Sequence, residues 1–143
     1  MDLKILGKKA IVTGGASGIG KAIVIALAAE GVSVAFTSRN SKRGEALLSE
    51  LGGKQSGHHF FNLDVSQKAG PKILYSELQK INFFPDIQIN NVGDTLNVLD
   101  PDCSLDDWQD VYRLNLEVHV ELVNLFTPYM KERGWGRIVN ITA

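Results

Sequence analysis

One cysteine, two methionines and three histidines are all that this chain holds of those residues, and each scarcity excludes something. With Cys103 alone, no disulfide can form within the chain, and a metal site built on cysteines has no basis. His58, His59 and His119 have no second histidine four residues on and no carboxylate cluster beside them, so no metal site is expected. An excess of one charge is also missing. Fifteen basic against 16 acidic residues leave a formal net charge of −1, which offers no basic surplus to nucleic acid or to an anionic membrane. No apolar run approaches the length that crosses a bilayer. The opening Met1-Asp2-Leu3-Lys4 puts an acid and a base where a secretory signal would need its apolar stretch. The expectation is a soluble, cytoplasmic protein with no nucleic-acid, membrane or metal partner.

What is present suits a packed core. Apolar residues make up 44% and charged residues 22% of 143 residues, an ordinary globular balance that fits a single domain over residues 1–143. Short apolar runs alternate with helical patterns. The runs are Lys9–Thr13, Ser33–Thr37, His59–Asn62, Asp86–Asn90 and Arg137–Ile141. The helical stretches cover about 19–30, closed by Gly31, then 41–51, stopped by Gly52 and Gly53, and 70–80, with Pro71 in the first turn. A long helix is expected over about 105–131. Ser104 is its N-cap, Asp106 and Asp107 suit its dipole, and Pro128 should kink its last turns. Strand and helix in alternation, with continuous rather than alternating apolar runs, argue for a parallel sheet covered on both faces. The reading is an α/β fold, a doubly wound parallel sheet of order 3-2-1-4-5, cut off after the fifth strand.

The turn from the first strand into the first helix is Thr13-Gly14-Gly15-Ala16-Ser17-Gly18-Ile19-Gly20. Gly14 permits a tight turn. Gly18 lets a diphosphate approach the main chain, and Gly20 lets the helix pack closely on the strand. Free N–H groups at the helix start, with the helix dipole, favour an anion there. The spacing differs from Gly-x-Gly-x-x-Gly. No Gly-Lys-Ser/Thr follows, so it is no phosphate loop of a nucleotide hydrolase either.

Thr-Gly-x-x-x-Gly-x-Gly resembles the cofactor signature of the short-chain dehydrogenase/reductase family, and further matches follow in order. Asn62-Leu63-Asp64-Val65 is similar to the family's adenine-contacting Asp-Val. Asn90-Asn91-Val92-Gly93 resembles its Asn-Asn-Ala-Gly. Asn115 falls where the family keeps an active-site asparagine, and Gly136–Ile141 resembles its fifth strand. The resemblance covers essentially the whole chain. It implies a Rossmann fold whose cofactor is held by Gly14, Ala16, Ser17, Gly18, Ile19 and Gly20, by Asp64 and Val65, and by Asn91, Val92 and Gly93. Asp64 read alone is equally an acid capping the next helix, with Ser66 competing for that place.

The cofactor's identity is read at the end of the second strand. An acid there holds the adenosine ribose 2′-OH of NAD. Thr37-Ser38-Arg39-Asn40 has none, whereas Arg39 can pair with a 2′-phosphate through its planar fork of donors and Ser38 can add a hydroxyl. The expectation is NADP rather than NAD, with Lys42 and Arg43 close by. The alternative is that Arg39 is a solvated residue starting the next loop.

The resemblance also implies hydride transfer between nicotinamide and a small carbonyl or alcohol substrate. In the family a tyrosine acts as general acid or base and a lysine four residues later lowers its pKa. A phenol needs such a charge to work near neutrality. Asn115, set in an apolar stripe through Trp108, Val111, Tyr112, Val118 and Leu122, reads as buried polar glue by itself. By resemblance it supports a water that relays protons to that lysine. The 143 residues contain no Tyr-x-x-x-Lys. Tyr129 and Arg133 have the spacing but precede the fifth strand, so they are a decoy. The family's serine falls at Ala143, and Thr142 points the other way along the strand. The chain is therefore read as an N-terminal cofactor-binding half, inactive alone, that forms a homo-oligomer or associates with a missing C-terminal half. Its alternative is a non-catalytic dinucleotide-binding module.

Overall fold

The apolar runs form strands, and every pairing between them is parallel. The computed structural model describes residues 2–142. Among these, β1 (Lys9–Val12), β2 (Ser33–Ser38), β3 (His59–Asn62), β4 (Ile87–Asn90) and β5 (Arg137–Asn140) make one sheet of order β3-β2-β1-β4-β5. β1 is central, with Val12 opposite Phe36 on one side and Ile89 on the other. Chain order reverses across β1, so β2 and β4 leave a crevice above its carboxyl end, where open sheets of this kind bind ligands. Ala143, where the family's serine was expected, lies outside the described residues.

Strand side chains alternate between faces, and this divides the core in two. Ala10, Val12, Val34, Phe36, Ile87 and Ile89 meet Val24 of α1 (Gly18–Ala29) and Leu47 of α2 (Ser41–Glu50) on one face. Ile11 and Ala35 meet the other layer, Leu74 and Leu78 of α3 (Gly70–Lys80) and Leu122, Phe126 and Met130 of a later helix. Each buried Val, Leu, Ile, Phe or Met side chain among these contributes about 1.5–3 kcal/mol relative to exposure. α1 ends as its glycine suggests: Gly31 has φ +74°, its N–H donates to Ala28 and that of Val32 to Leu27, which closes the helix in a Schellman turn.

The long helix is not continuous. α4 (Leu105–Tyr112) gives way to a π-helical turn over Arg113–Glu117, and α5 (Val118–Glu132) resumes after it. Pro128 does not end the helix, since α5 runs through that residue to Glu132. The break sits at Asn115 because its amide donates to the Val111 carbonyl one turn back, at 2.8 Å, and competes with the helical ladder. The expected apolar stripe divides accordingly. Val118 and Leu122 are buried, whereas Trp108 and Tyr112 are more than half exposed. Ser104 caps α4 as expected, accepting from the Asp107 N–H at 3.1 Å.

Candidate functional site

The carboxyl ends of β1 to β4 open into a cleft of about 310 Å³. Its centre is the glycine turn. Gly14 has φ +63°, a backbone conformation that favours glycine. Its N–H donates to the Thr37 hydroxyl at 3.2 Å, and the Gly15 N–H to the Thr37 carbonyl at 2.9 Å. At Gly20 a Cβ would lie 2.2 Å from the Gly14 carbonyl oxygen, so only glycine lets α1 start this close to β1. Ser17 is the N-cap of α1, yet its side chain caps nothing and the first turn holds no acid. The N–H groups of Gly18, Ile19 and Gly20 thus have no partner within the helix, which leaves a positive helix end with free donors, a setting that favours an anion. Of the residues expected here, Gly14 and Ser17 line the cleft. Ala16 is instead buried in the core, and Ile19 is turned to solvent.

On the β2–β3 side stand Ser38, Arg39, Asn40, Arg43, Leu63, Asp64 and Val65. Arg39 is exposed and, among the described residues, makes no ion pair. Asn40 caps α2, accepting from the Arg43 N–H at 2.9 Å, which brings the Arg43 side chain to the cleft. Asp64 accepts from the Ser66 N–H at 2.9 Å and from its hydroxyl at 2.6 Å. Burial alone would raise its carboxyl. The hydrogen bonds from Ser66 and Gln67 and the positive charge of Arg39 outweigh burial and hold it below the ordinary carboxylate value. Neither Asp64 nor Ser66 caps α3, whose N-cap is Ala69. The capping alternative for Asp64 is therefore closed.

On the β4 side, Asn91, Val92, Gly93 and Asp94 line the cleft. Thr13, at the end of β1, accepts from the N–H groups of Asn91 and Val92 through its hydroxyl, at 3.0 and 3.2 Å. The Asn91 amide donates to the carbonyls of Thr13 and Gly14, both at 3.2 Å. Asn115 does not line the cleft, and in this chain it is exposed rather than buried. It clamps the rim: its amide donates to the Asp94 carbonyl at 2.7 Å, and its oxygen accepts from the Asp94 N–H at 3.2 Å. His119, assigned no role on sequence grounds, is buried with Nε2 2.8 Å from the Val92 carbonyl. Thr37, Leu63, Asp94 and Leu114 also border the cleft without having been singled out.

Tyr129 and Arg133 bond to each other, and Tyr129 stacks on Phe84 with ring centres 4.8 Å apart. Phe84 precedes β4, so this pair sits at the amino end of the sheet, opposite the cleft. Among the described residues, no three metal-ligating side chains converge and no helix is long and apolar enough to cross a membrane.

The family model for short chain dehydrogenases matches residues 8–143. A D-threitol dehydrogenase of Mycolicibacterium smegmatis is 34% identical over 146 residues, covering 99% of this chain and 55% of that protein. A 3-oxoacyl-acyl-carrier-protein reductase of Chlamydia pneumoniae is 34% identical, covering 100% of this chain and 58% of its own. The chain thus spans little more than half the length of the relatives it matches. Among solved structures, L-sorbose reductase of Gluconobacter frateurii, in complex with NADPH and L-sorbose, superposes with a TM-score of 0.85 at 29% identity, over 96% of this chain and 53% of that one. A 7α-hydroxysteroid dehydrogenase in complex with NADH superposes with a TM-score of 0.87 at 30% identity, over 99% and 55%. On its fold, its cleft and these matches, the chain belongs to the short-chain dehydrogenase/reductase family of oxidoreductases.

Proposed function

We propose that this chain is the NADP(H)-binding part of an oxidoreductase that moves hydride between a nicotinamide and a ketone or secondary alcohol. When bound, the nicotinamide supplies or accepts the hydride. The chain's own residues bind and orient. The N–H groups of Gly18, Ile19 and Gly20 hold the diphosphate. Arg39 takes the 2′-phosphate as a planar fork of donors, with Ser38 and Arg43 beside it. Asp64, held ionised, accepts from the adenine amino group, and Val65 packs at its side. Asn91, Val92 and Gly93 line the ribose side of the cleft. Asn115 fixes the rim through Asp94.

One observation carries the choice of cofactor: at the end of β2, where an acid would select NAD, the cleft has the guanidinium of Arg39, which makes no ion pair among the described residues. The structural relatives include one with NADPH and one with NADH, so the family allows both and the choice rests on this residue. The relatives named above act on unlike molecules, and no substrate is assigned. Binding of NADPH and NADH to the wild type and to Arg39→Ala tests the reading. The substitution should weaken NADPH about ten- to hundredfold, the equivalent of ~1.5–3 kcal/mol for hydrogen bonds to a charged group, and leave NADH unchanged. Equal loss for both, or loss for neither, overturns it.

A second reading, a non-catalytic dinucleotide-binding module, draws on the lack of a Tyr-x-x-x-Lys pair in these residues and on the distance of Tyr129 from the cleft. Carbonyl reduction with NADPH separates the two. Activity in the full-length protein and none in residues 1–143 alone supports the enzyme.

A further inference from the structure

We infer that Arg113 is a positioning residue for base recognition: it holds the loop after β3 so that Ser66 fixes the Asp64 carboxylate for the amino group of adenine. The inference rests on the dinucleotide reading above and adds to it a residue that stands behind the cleft lining.

Arg113 opens the π-helical turn, and its side chain is 20% exposed. Its neighbour Leu114 borders the cleft, whereas Arg113, Ser66 and Gln67 do not. Nε of Arg113 donates to the Ser66 carbonyl at 3.3 Å, and Nη2 donates to the Gln67 carbonyl at 3.4 Å. The remaining corner, Nη1, pairs with Glu121 and lies 3.6 Å from the Glu117 carboxylate. A guanidinium is a rigid plane, so carboxylates that grip one corner aim the opposite edge. Its charge is answered from the helix side, and what it gives the loop is a fixed pair of donors.

The two carbonyls belong to a closed turn. The Gln67 N–H donates to the Asp64 carbonyl at 3.3 Å, and the Gly70 N–H donates to the Gln67 carbonyl at 2.8 Å. A Cβ on Gly70 would be 2.7 Å from the Asp64 carbonyl oxygen, so the chain passes close to itself here. Inside the turn, Ser66 donates to Asp64 twice, from its N–H at 2.9 Å and its hydroxyl at 2.6 Å, and both bonds fall on Oδ1. One residue therefore sets the plane of the carboxylate that borders the cleft, and Arg113 holds that residue from its carbonyl side. The contacts run from Glu121 in α5 through Arg113 and Ser66 to Asp64. Without the guanidinium, the Ser66 carbonyl loses this donor and the peptide turns toward water. Ser66 turns with it, and the carboxylate loses its fixed plane.

A carboxylate held in one plane discriminates between bases. Adenine presents an amino donor to it, while hypoxanthine presents a carbonyl acceptor at the same position, and two acceptors face to face cost binding.

NADPH and deamino-NADPH, which carries hypoxanthine in place of adenine, are titrated into the full-length wild type, Arg113→Met and Arg113→Lys, with thermal melting run in parallel. The wild type should prefer NADPH about tenfold or more, the size of a hydrogen bond to a charged acceptor. Arg113→Met should lower that preference to about threefold or less by weakening NADPH, with deamino-NADPH within about threefold of its wild-type affinity. The readout is a ratio, which a loss of stability common to both ligands does not move. Arg113→Lys keeps a charge beside Glu117 and Glu121 but loses the planar fork, so its preference should also fall about threefold or more. Equal weakening of both cofactors, an unchanged preference in Arg113→Met, or a wild-type preference in Arg113→Lys overturns the inference. A wild type that binds both cofactors alike overturns it too, and leaves the dinucleotide reading standing. A wild type that binds neither overturns that reading and this inference together. If Arg113→Met does not fold, Arg113→Lys decides.

Discussion

A Cβ on Gly20 would meet the Gly14 carbonyl oxygen at 2.2 Å and the Asn91 amide nitrogen at 2.5 Å. Both neighbours are held in place, one in the backbone and one by two hydrogen bonds. Gly20→Ala must therefore push the start of α1 away from β1. It should cost about 1–3 kcal/mol of stability, as overpacking does, and weaken NADPH binding by a larger factor than the melting temperature alone implies, because the phosphate donors move with the helix. Calorimetric melting and titration check the two effects. The close approach at Gly20 was legible in the spacing of the glycines, as was the tight turn at Gly14. The roles of Thr13 and Thr37 were not, because each acts on a residue more than twenty positions away. A second residue-scale prediction concerns His58, whose Nδ1 accepts from the Val34 N–H at 3.0 Å. Burial lowers its pKa below the ordinary 6.5. The folded state thus binds the proton less readily than the unfolded chain, and stability falls as pH drops below about 6.5. His58→Asn keeps an acceptor and removes the titration. Melting temperatures between about pH 7 and pH 5 should fall less in that variant than in the wild type. A parallel fall would locate the sensitivity elsewhere.

Elements repeat the same division between local and distant causes. β1 to β5, α1, α2 and α3 follow from apolar periodicity, Gly31, Pro71 and the glycine pairs, and these signals are local. The π-helical turn at Arg113–Glu117 was illegible because its cause includes the Asp94 loop, 21 residues away from Asn115. Periodicity across residues 105–131 shows one long helix, and nothing in composition marks where a fifth residue enters a turn. Asn115 was found only by resemblance, and its burial was misjudged for the same reason. Arg113, in the same turn, donates to the Ser66 and Gln67 carbonyls and pairs with Glu117 and Glu121. The irregular turn thereby reaches both the β3 and the β4 loops. Asn115→Ala removes three hydrogen bonds at a solvent-facing site, so the loss should be about 1 kcal/mol. Amide exchange at Asp94 should accelerate, while that of β1 stays as in the wild type. An unchanged Asp94 would mean that the rim is held by other contacts. At the start of the same rod, Ser104→Ala removes the α4 cap and should cost roughly 0.5–2 kcal/mol, read by chemical denaturation.

For the molecule as a whole, exposed apolar surface includes a helical stripe and a strand edge. Leu105, Trp108, Tyr112, Leu116 and Val120 recur at three- and four-residue steps along α4, the π-helical turn and α5, and each is 43% exposed or more. β5 is an edge strand whose Ile138 and Val139 are 37% and 44% exposed, so its outer backbone groups face no partner strand among the described residues. Surface of this kind associates, and a formal net charge of −1 supplies almost no repulsion to oppose it. Residues 1–143 taken alone should therefore form concentration-dependent oligomers in light scattering. Two variants tell the faces apart. Leu116→Glu with Val120→Glu places charge on the helical stripe, while Val139→Lys places it on the strand edge, where a lysine blunts pairing. If the stripe governs association, the double variant becomes monomeric and the edge variant does not; the reverse result assigns association to β5. A wild-type chain that stays a monodisperse monomer at concentrations of tens of micromolar would mean that neither face is sticky enough to act, and that the apolar stripe is tolerated singly exposed surface.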